Sequence, residues 1–162
     1  TNAAQDIKRD WESMEEIVGA VLARIRQRDP ERRIKSRVPE GLPLIKADPV
    51  LLAQLLGNLL DNALKYSAGT IDLSVNLGEG ELQVAVKDRG NTIPQENHAR
   101  IFEPYTRGDL SGQHGAGLGL ALCRAIAMAH GGTLTLRHRS GGGNTFTFAL
   151  PLEATQPESV QP

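Results

Sequence analysis

Two amides and an ammonium group stand at helical spacing in residues 48–67, whose sequence is DPVLLAQLLGNLLDNALKYS. At about 100° per residue, Asn58, Asn62 and Lys65 lie on one side of a predicted helix, with Tyr66 at its margin. The opposite side is apolar and consists of Leu52, Leu56, Leu59, Leu60 and Ala63. Amides inside a protein need hydrogen-bond partners, which a bound ligand can supply. The pattern therefore indicates either a ligand-binding side or a polar side in contact with water.

A carboxylate and a glycine follow a predicted strand at residues 88–90, DRG. Asp88 could accept hydrogen bonds from an amino group of a ligand, and Gly90 would let the backbone approach that ligand closely. Taken alone, the cluster is more typical of an ordinary turn at the end of a strand.

Three glycines precede a predicted helix in residues 115–120, GAGLGL. Free N–H groups and the helix dipole make such a turn a cradle for anions. The dinucleotide-binding fingerprint matches poorly, because a loop rather than a strand precedes these glycines. A P-loop is excluded, because the chain contains no G-x-x-x-x-G-K-[ST].

Two aromatic side chains and an arginine occur in residues 101–107, IFEPYTR. We predict that Phe102 packs in the core and that Arg107 contacts a phosphate. The following segment, residues 107–116, has three glycines and little apolar content, which predicts a mobile loop.

Local patterns predict an α+β two-layer sandwich, with a mixed, mostly antiparallel sheet packed on about three helices. A capping box at Ser13 opens an amphipathic helix to about Arg28, and an Asp-Pro pair opens the helix over residues 49–66. A third helix is predicted over residues 118–130, where a charged His130 would suit the helix dipole. Residues 95–100 are predicted as a short helix, and Trp11 as a core residue just outside the first helix. The predicted strands are 34–38, 44–47, 71–77, 82–86, 133–138 and 145–150.

The composition of the 162 residues, 40% hydrophobic and 23% charged, suits one ordinary globular domain. We assign residues 1–10 to a linker from a missing preceding domain, 11–152 to the domain and 153–162 to a disordered tail. The first residue is not methionine, so we expect a piece of a longer protein. A net charge of −1 gives no general attraction to nucleic acid or to anionic membranes, and no apolar run could span a bilayer. The single cysteine, Cys123, excludes an intrachain disulfide and a cysteine metal cluster.

In this order, the four segments resemble the ATP-binding catalytic domain of sensor histidine kinases, part of a larger ATPase superfamily with gyrase and Hsp90. The family's N box is similar to residues 58–66, its G1 box to 88–90, its F box to 102–107 and its G2 box to 115–120. The resemblance covers residues 11–152 and implies the Bergerat ATP-binding fold. Within the family, the segments at Trp11, 15–19 and 118–126 are most similar to the potassium-responsive kinases.

The resemblance implies that ATP and Mg²⁺ are the cofactors. By this resemblance, Asn62 would ligate Mg²⁺, and Asn58 would assist it or contact a phosphate. Lys65 and Arg107 would contact the triphosphate and complete the catalytic set, and Asp88 would accept from the adenine amino group. The other implied nucleotide-binding positions are Tyr66, Gly90, Thr92, Ile93, Phe102, Gly115, Gly117, Leu118, Gly119 and Leu120.

The resemblance also implies partners, namely a dimerisation and phosphoacceptor domain of the same protein and a downstream response regulator. It places the chain in a cytoplasmic domain of a membrane-anchored sensor kinase, without direct membrane contact by these residues. The family's phosphoacceptor histidine lies in a pattern similar to H-E-L-R-T-P. None of His98, His114, His130 and His138 lies in such a context. We therefore expect the chain to bind ATP but not to phosphorylate itself.

One residue departs from the family pattern, because Thr92 stands where the G1 box, D-x-G-x-G, has its second glycine. A β-branched residue disfavours positive φ and adds bulk there, so the sequence predicts that Thr92→Gly strengthens Mg²⁺-ATP binding. Two alternatives stay open. A gyrase- or Hsp90-type ATPase clamp would have a water-activating glutamate where this chain has Gln54. A non-catalytic nucleotide-binding or docking module would bind ATP without transferring phosphate.

Overall fold

The computed structural model describes residues 7–104 and 119–153, and these residues form three α-helices. They are α1 (Met14–Arg28), α2 (Pro49–Tyr66) and α3 (Gly119–Ala129). The predicted bounds of α1 and α2 are confirmed. The short helix predicted over residues 95–100 is instead two 3-10 turns, Gln95–Asn97 and Arg100–Phe102, which follow Pro94.

Side-chain caps fix where the first two helices begin. The Ser13 hydroxyl accepts from the Glu16 N–H at 3.2 Å, as the capping box predicts. The Asp48 carboxylate accepts from the N–H groups of Val50 at 3.0 Å and Leu51 at 3.2 Å. These bonds satisfy N–H groups that have no partner within the helix. Both predicted N-caps are therefore confirmed.

A five-stranded sheet forms the second layer, in the order β2-β4-β5-β7-β6. Its strands are β2 (Ile34–Arg37), β4 (Ile71–Leu77), β5 (Glu81–Asp88), β6 (Thr133–His138) and β7 (Asn144–Pro151). Only the pairing of β2 with β4 is parallel among these described strands. The predicted mixed, mostly antiparallel sheet is confirmed.

A small second sheet lies ahead of α2, where β1 (Asp10–Glu12) pairs antiparallel with β3 (Ile45–Ala47). The predicted linker over residues 1–10 is wrong at its last residue, because Asp10 begins a strand. Trp11 lies within that strand, half-buried, and the Lys46 ammonium lies 4.9 Å from the centre of its ring. Three residues are too few to show an alternating pattern, which explains the error. The predictions for residues 1–6 and 154–162 fall outside the described residues.

The core lies between the helices and the inner face of the sheet. Alternate residues of β4, namely Ile71, Leu73 and Val75, are buried, and they join the apolar stripe of α2 in one cluster. Leu52, Leu55, Leu56, Leu59 and Leu60 of that stripe are fully buried. Burying one such side chain contributes roughly 1.5–3 kcal/mol before entropy is counted. This stripe holds α2 in a fixed rotation and therefore fixes the direction of its asparagines.

Candidate functional site

Asp88 ends strand β5 and is a buried carboxylate, only 4% exposed. It accepts from the Gly90 N–H at 2.8 Å, and the side-chain amide of Asn144 donates to the same oxygen at 3.5 Å. Burial raises the pKa of Asp88, while hydrogen bonds from Gly90 and Asn144 and the charge of Arg139 oppose the rise. The site therefore holds a pre-positioned acceptor in a setting of low polarity.

Gly90 brings this strand end against the last residue of α2. A Cβ atom added at Gly90 would lie 2.3 Å from the Tyr66 carbonyl oxygen. No side chain fits at that distance, so only glycine permits the approach. The strand end that carries the carboxylate therefore lies directly beside the asparagine helix, and the two form adjoining walls of the candidate site.

The two asparagines of α2 occupy different environments. Asn62 lies one turn before Tyr66 and is 8% exposed. Asn58, a further turn back, is half-buried and hydrogen-bonds to Cys123 of α3. Asn58 therefore faces the helix that follows the predicted glycine turn.

Cys123 itself is a structural thiol. Its sulfur donates to the Leu55 carbonyl at 3.5 Å and is fully buried. Burial raises the pKa of Cys123 to about 12, and the bond with Asn58 opposes that rise. The thiol is therefore protonated and unreactive at neutral pH.

The predicted cation and aromatic residue of the N box lie at the carboxyl end of α2. Lys65 is exposed, and its ammonium lies 5.7 Å from the ring centre of Tyr66, which is half-buried. Arg32 closes this end by donating to the carbonyls of Leu64 at 2.8 Å, Ser67 at 3.0 Å and Gly69 at 3.1 Å. These bonds give the last turn of α2 a fixed position beside Gly90.

Other predicted positions belong to the core or to the start of α3. Phe102 is 8% exposed, packs edge-on against Phe146 at 6.1 Å and lies under the Arg124 guanidinium, so its predicted core role is confirmed. Gly119 is the first residue of α3, and the Leu120 side chain is fully buried. Any contact of Leu120 with a ligand would therefore use its backbone. Arg107, Gly115, Gly117, Leu118 and the predicted mobile loop lie outside the described residues.

Sequence reasoning missed the hairpin between β6 and β7 as part of the site. Gly141, Gly142 and Gly143 all have positive φ, consistent with the predicted turn, but the next residue, Asn144, is a buried amide beside Asp88. The Thr92 hydroxyl accepts from the Gly143 N–H at 2.9 Å. An asparagine between the three glycines and the predicted strand 145–150 was the one indication available in the sequence, which does not show that this side chain is buried.

The arrangement suits an elongated ligand with an amino group at one end and negative charge at the other. Asp88 supplies the acceptor, while Asn62 and Asn58 follow along α2 at about 6 Å per four residues. The start of α3 then supplies the positive end of a helix dipole. In residues 7–104 and 119–153, no three His, Cys, Asp or Glu side chains gather as a metal site. A divalent cation would therefore rely on amide oxygens and on oxygens of the ligand.

Residues 47–154 match the family described as the histidine kinase-, DNA gyrase B- and HSP90-like ATPases. The chain belongs to this ATPase family. Sensor protein KdpD of Escherichia coli strain K12 is 39% identical over 156 residues, which cover 94% of this chain and 17% of KdpD. The sensory kinase SasA of Gloeothece citriformis is 40% identical over 124 residues, or 74% of this chain and 32% of SasA. The chain thus spans only part of these curated relatives.

Solved structures show the same ATPase fold. Full-length ShkA in complex with AMPPNP aligns with a TM-score of 0.79 and 29% identity, covering 94% of this chain and 33% of ShkA. The catalytic domain of the histidine kinase ThkA aligns with a TM-score of 0.77 and 25% identity, covering 90% of this chain and 97% of that domain. The chain is therefore homologous to the catalytic domains of sensor histidine kinases. The predicted similarity to the potassium-responsive branch is confirmed through KdpD. In the described part of the chain, every helix is too short or too polar to cross a lipid bilayer.

Proposed function

We propose that the chain is the ATP-binding catalytic domain of a two-component sensor kinase. It binds Mg²⁺-ATP and presents the γ-phosphate to a histidine on a separate dimerisation and phosphoacceptor domain. The observation that carries this proposal is the approach of Gly90 to the Tyr66 carbonyl, which unites the buried Asp88 with the asparagine helix. The complex of the homologous ShkA with AMPPNP, an analogue of ATP, supports the choice of nucleotide.

The residues present fit a purine triphosphate with a hard cation. Asp88 is a buried acceptor of the kind that recognises the amino group of adenine. Asn62 would ligate Mg²⁺ through its amide oxygen and Asn58 would assist, because hard oxygen ligands suit this ion. Lys65 and Arg107 would contact the phosphates, and Gly117 and Gly119 would hold them at the start of α3.

Mg²⁺ held by Asn62 would supply neutralisation of the negative charge on the phosphates. The residues of this chain bind the base, orient the phosphates and limit access of water. Phosphoryl transfer requires positioning and electrostatic stabilisation more than a covalent nucleophile. A site of amides, cations and backbone N–H groups meets that requirement.

The acceptor histidine and the next protein in the relay lie outside these residues. We propose a phosphoacceptor domain of the same protein as the direct partner, and a response regulator with an acceptor aspartate as the next. The kinase domain would lie on the cytoplasmic side of a membrane-anchored sensor, as the similarity to sensor proteins suggests.

Mg²⁺-dependent binding of a fluorescent ATP analogue tests the proposal directly. Wild type should bind, and Asn62→Ala should weaken binding about ten- to a hundredfold, the equivalent of roughly 1–3 kcal/mol. Asn76→Ala is the matched control, because Asn76 is an exposed asparagine at the end of β4. Equal binding by wild type and Asn62→Ala would refute the proposed role of Asn62.

A labelling assay with an added phosphoacceptor domain then separates the classes of function. Transfer of phosphate to that domain, dependent on Asn62, indicates a kinase. Binding without transfer indicates a nucleotide-binding module, and rapid hydrolysis by the chain alone indicates an ATPase clamp. Acid-labile phosphate on the chain itself would contradict the expectation that it does not phosphorylate itself.

A further inference from the structure

We propose that the turn between β6 and β7 is a positioning device for the Asp88 carboxylate. Through Thr92 and Asn144, this hairpin would set the preference for a purine with a 6-amino group over one with a 6-oxo group. The inference rests on the proposed function, since it assumes that Asp88 meets the base of a nucleotide.

Gly143 is packed directly on the backbone of Asp88. A Cβ atom added at Gly143 would lie 2.1 Å from the Asp88 carbonyl oxygen, and the φ angle of 111° also requires glycine. The Gly143 N–H is satisfied by the Thr92 hydroxyl at 2.9 Å. A glycine at position 92 would offer no acceptor there. Thr92 is therefore part of the link between the hairpin and the loop after β5.

Asn144 joins the same hairpin to two residues of that loop and to Asp88, the last residue of β5. Its side-chain oxygen accepts from the Ile93 N–H at 2.9 Å. Its NH₂ group donates to the Asn91 carbonyl at 2.9 Å and to the Asp88 carboxylate at 3.5 Å. The side chain is buried, with 5% exposed, so these bonds are shielded from water. One amide thus fixes the loop and one carboxylate oxygen together.

Two arginines reinforce the link from both directions. Arg89 donates from the loop to the carbonyls of Ser140 and Gly142 in the hairpin. Arg139 donates from the hairpin to the Asp88 carbonyl at 3.4 Å, while its other nitrogen pairs with Asp72 at 2.9 Å. The loop over residues 89–93 has no helix or strand of its own, so these contacts determine its position.

Position matters here because the carboxylate is an acceptor only. An adenine amino group donates to it, whereas a 6-oxo group would place two acceptors face to face. A site built to bond one group rejects the analogue that leaves a buried polar group unpaired. That rejection is strong only while the carboxylate cannot turn aside. Loosening the hairpin should therefore reduce ATP affinity more than it reduces GTP affinity.

Competition binding of Mg²⁺-ATP and Mg²⁺-GTP to Thr92→Val measures this selectivity. Valine keeps the shape of threonine and removes the oxygen that accepts from Gly143. We expect ATP affinity to fall about three- to tenfold, as for loss of one hydrogen bond, with GTP affinity changed less than about twofold. Thr92→Ser should retain the wild-type ratio. Thr135→Val, on the exposed side of β6, is the control and should also match wild type.

Thermal unfolding of each variant separates positioning from stability. A ratio of ATP to GTP affinity that stays within twofold of wild type in folded Thr92→Val would overturn the inference, even if the melting temperature falls. If Thr92→Val does not fold, Thr92→Gly also removes the acceptor, and it should show the same loss of selectivity. The bond to Gly143 thus reverses the effect on ATP binding that the sequence alone predicts for Thr92→Gly. Absence of Mg²⁺-ATP binding by wild type would instead refute the proposed function, and the inference with it.

Discussion

The backbone N–H of Asp48 donates to Nε2 of His130 at 3.0 Å, which joins the N-cap of α2 to the residue that follows α3. Because Nε2 accepts, the proton of the neutral ring is on Nδ1, which bonds the Ile126 carbonyl at 2.8 Å. The ring is buried, with 3% exposed. The prediction from the sequence that His130 is charged and complements the helix dipole is therefore wrong. The structure requires the neutral form.

Stability should consequently fall in mild acid. Burial lowers the pKa of His130, and the positive charge of Arg9 lowers it further. The hydrogen bond with the Ile126 carbonyl and the negative charge of Asp48 raise the pKa and oppose that shift. A histidine with a lowered pKa binds more protons when unfolded, so its stabilisation is present above the unfolded value of about 6.5 and is lost as pH falls through the folded pKa. We expect the free energy of unfolding in urea to decrease between pH 7.5 and pH 5. His130→Gln should flatten this dependence on pH, whereas the control His138→Gln, at an exposed position, should not. If the free energy of unfolding depends on pH equally in both variants, His130 is not the group responsible.

Removing the charge of Asp88 should separate binding from stability. A carboxyl with a raised folded pKa contributes stability below its unfolded pKa, and this is lost as pH rises through the folded pKa. At neutral pH the buried charge is thus a cost. Asp88→Asn should therefore melt no lower than wild type, yet bind Mg²⁺-ATP at least about tenfold more weakly, because an NH₂ group would face the adenine donor. Glu79→Gln, in the exposed turn after β4, is the control for charge alone; tight binding by Asp88→Asn would refute the acceptor role.

Gly90→Ala should disrupt the site by steric exclusion. Its Cβ would lie 2.3 Å from the Tyr66 carbonyl, so the loop after β5 must move away from α2. Overpacking of this kind costs typically about 1–3 kcal/mol, and Mg²⁺-ATP affinity should fall with it. Gly69→Ala is a matched control, because nothing lies within 4 Å of its Cβ position. Urea unfolding and nucleotide titration of both variants would test the contact, and wild-type behaviour of Gly90→Ala would show that the two walls are not in contact.

Arg32→Met should weaken the carboxyl end of α2. The guanidinium serves carbonyls of Leu64, Ser67 and Gly69, and methionine keeps the length of the side chain without a donor. We expect a loss of about 1–3 kcal/mol in the free energy of unfolding, since the carbonyls of Leu64 and Ser67 are part-buried and lose their donor. The neighbouring exposed Arg33 provides the control. If Arg32→Met and Arg33→Met have the same free energy of unfolding, the hydrogen bonds of Arg32 make no net contribution to stability.

The sequence predicted well the features that are encoded within a few residues. The caps Ser13 and Asp48 and the leucine stripe of α2 are local, and so is the hairpin between β4 and β5. What it could not supply was contact between distant segments, such as Asp88 with Asn144, or Asp48 with His130. Sequence spacing alone did not predict the contact between Gly90 and Tyr66. Only the family resemblance implied that these two segments belong to one site. The sequence predicted that Thr92 disfavours nucleotide binding, because it gave no indication of the hydrogen bond with Gly143, which lies 51 residues away.

The short strand β1 has a mechanical consequence for the asparagine helix. Asp10 pairs with Ala47, and Ala47 immediately precedes Asp48, the N-cap of α2. A displacement of the chain at Asp10 would therefore be transmitted through the pairing with Ala47, which is one peptide bond away from the N-cap of α2. This path does not first pass through the five-stranded sheet, which carries Asp88. The asparagine helix is thus held at two places, at its amino end through β3 and along its leucine stripe by the sheet, and a displacement at Asp10 would act on it at the first of these.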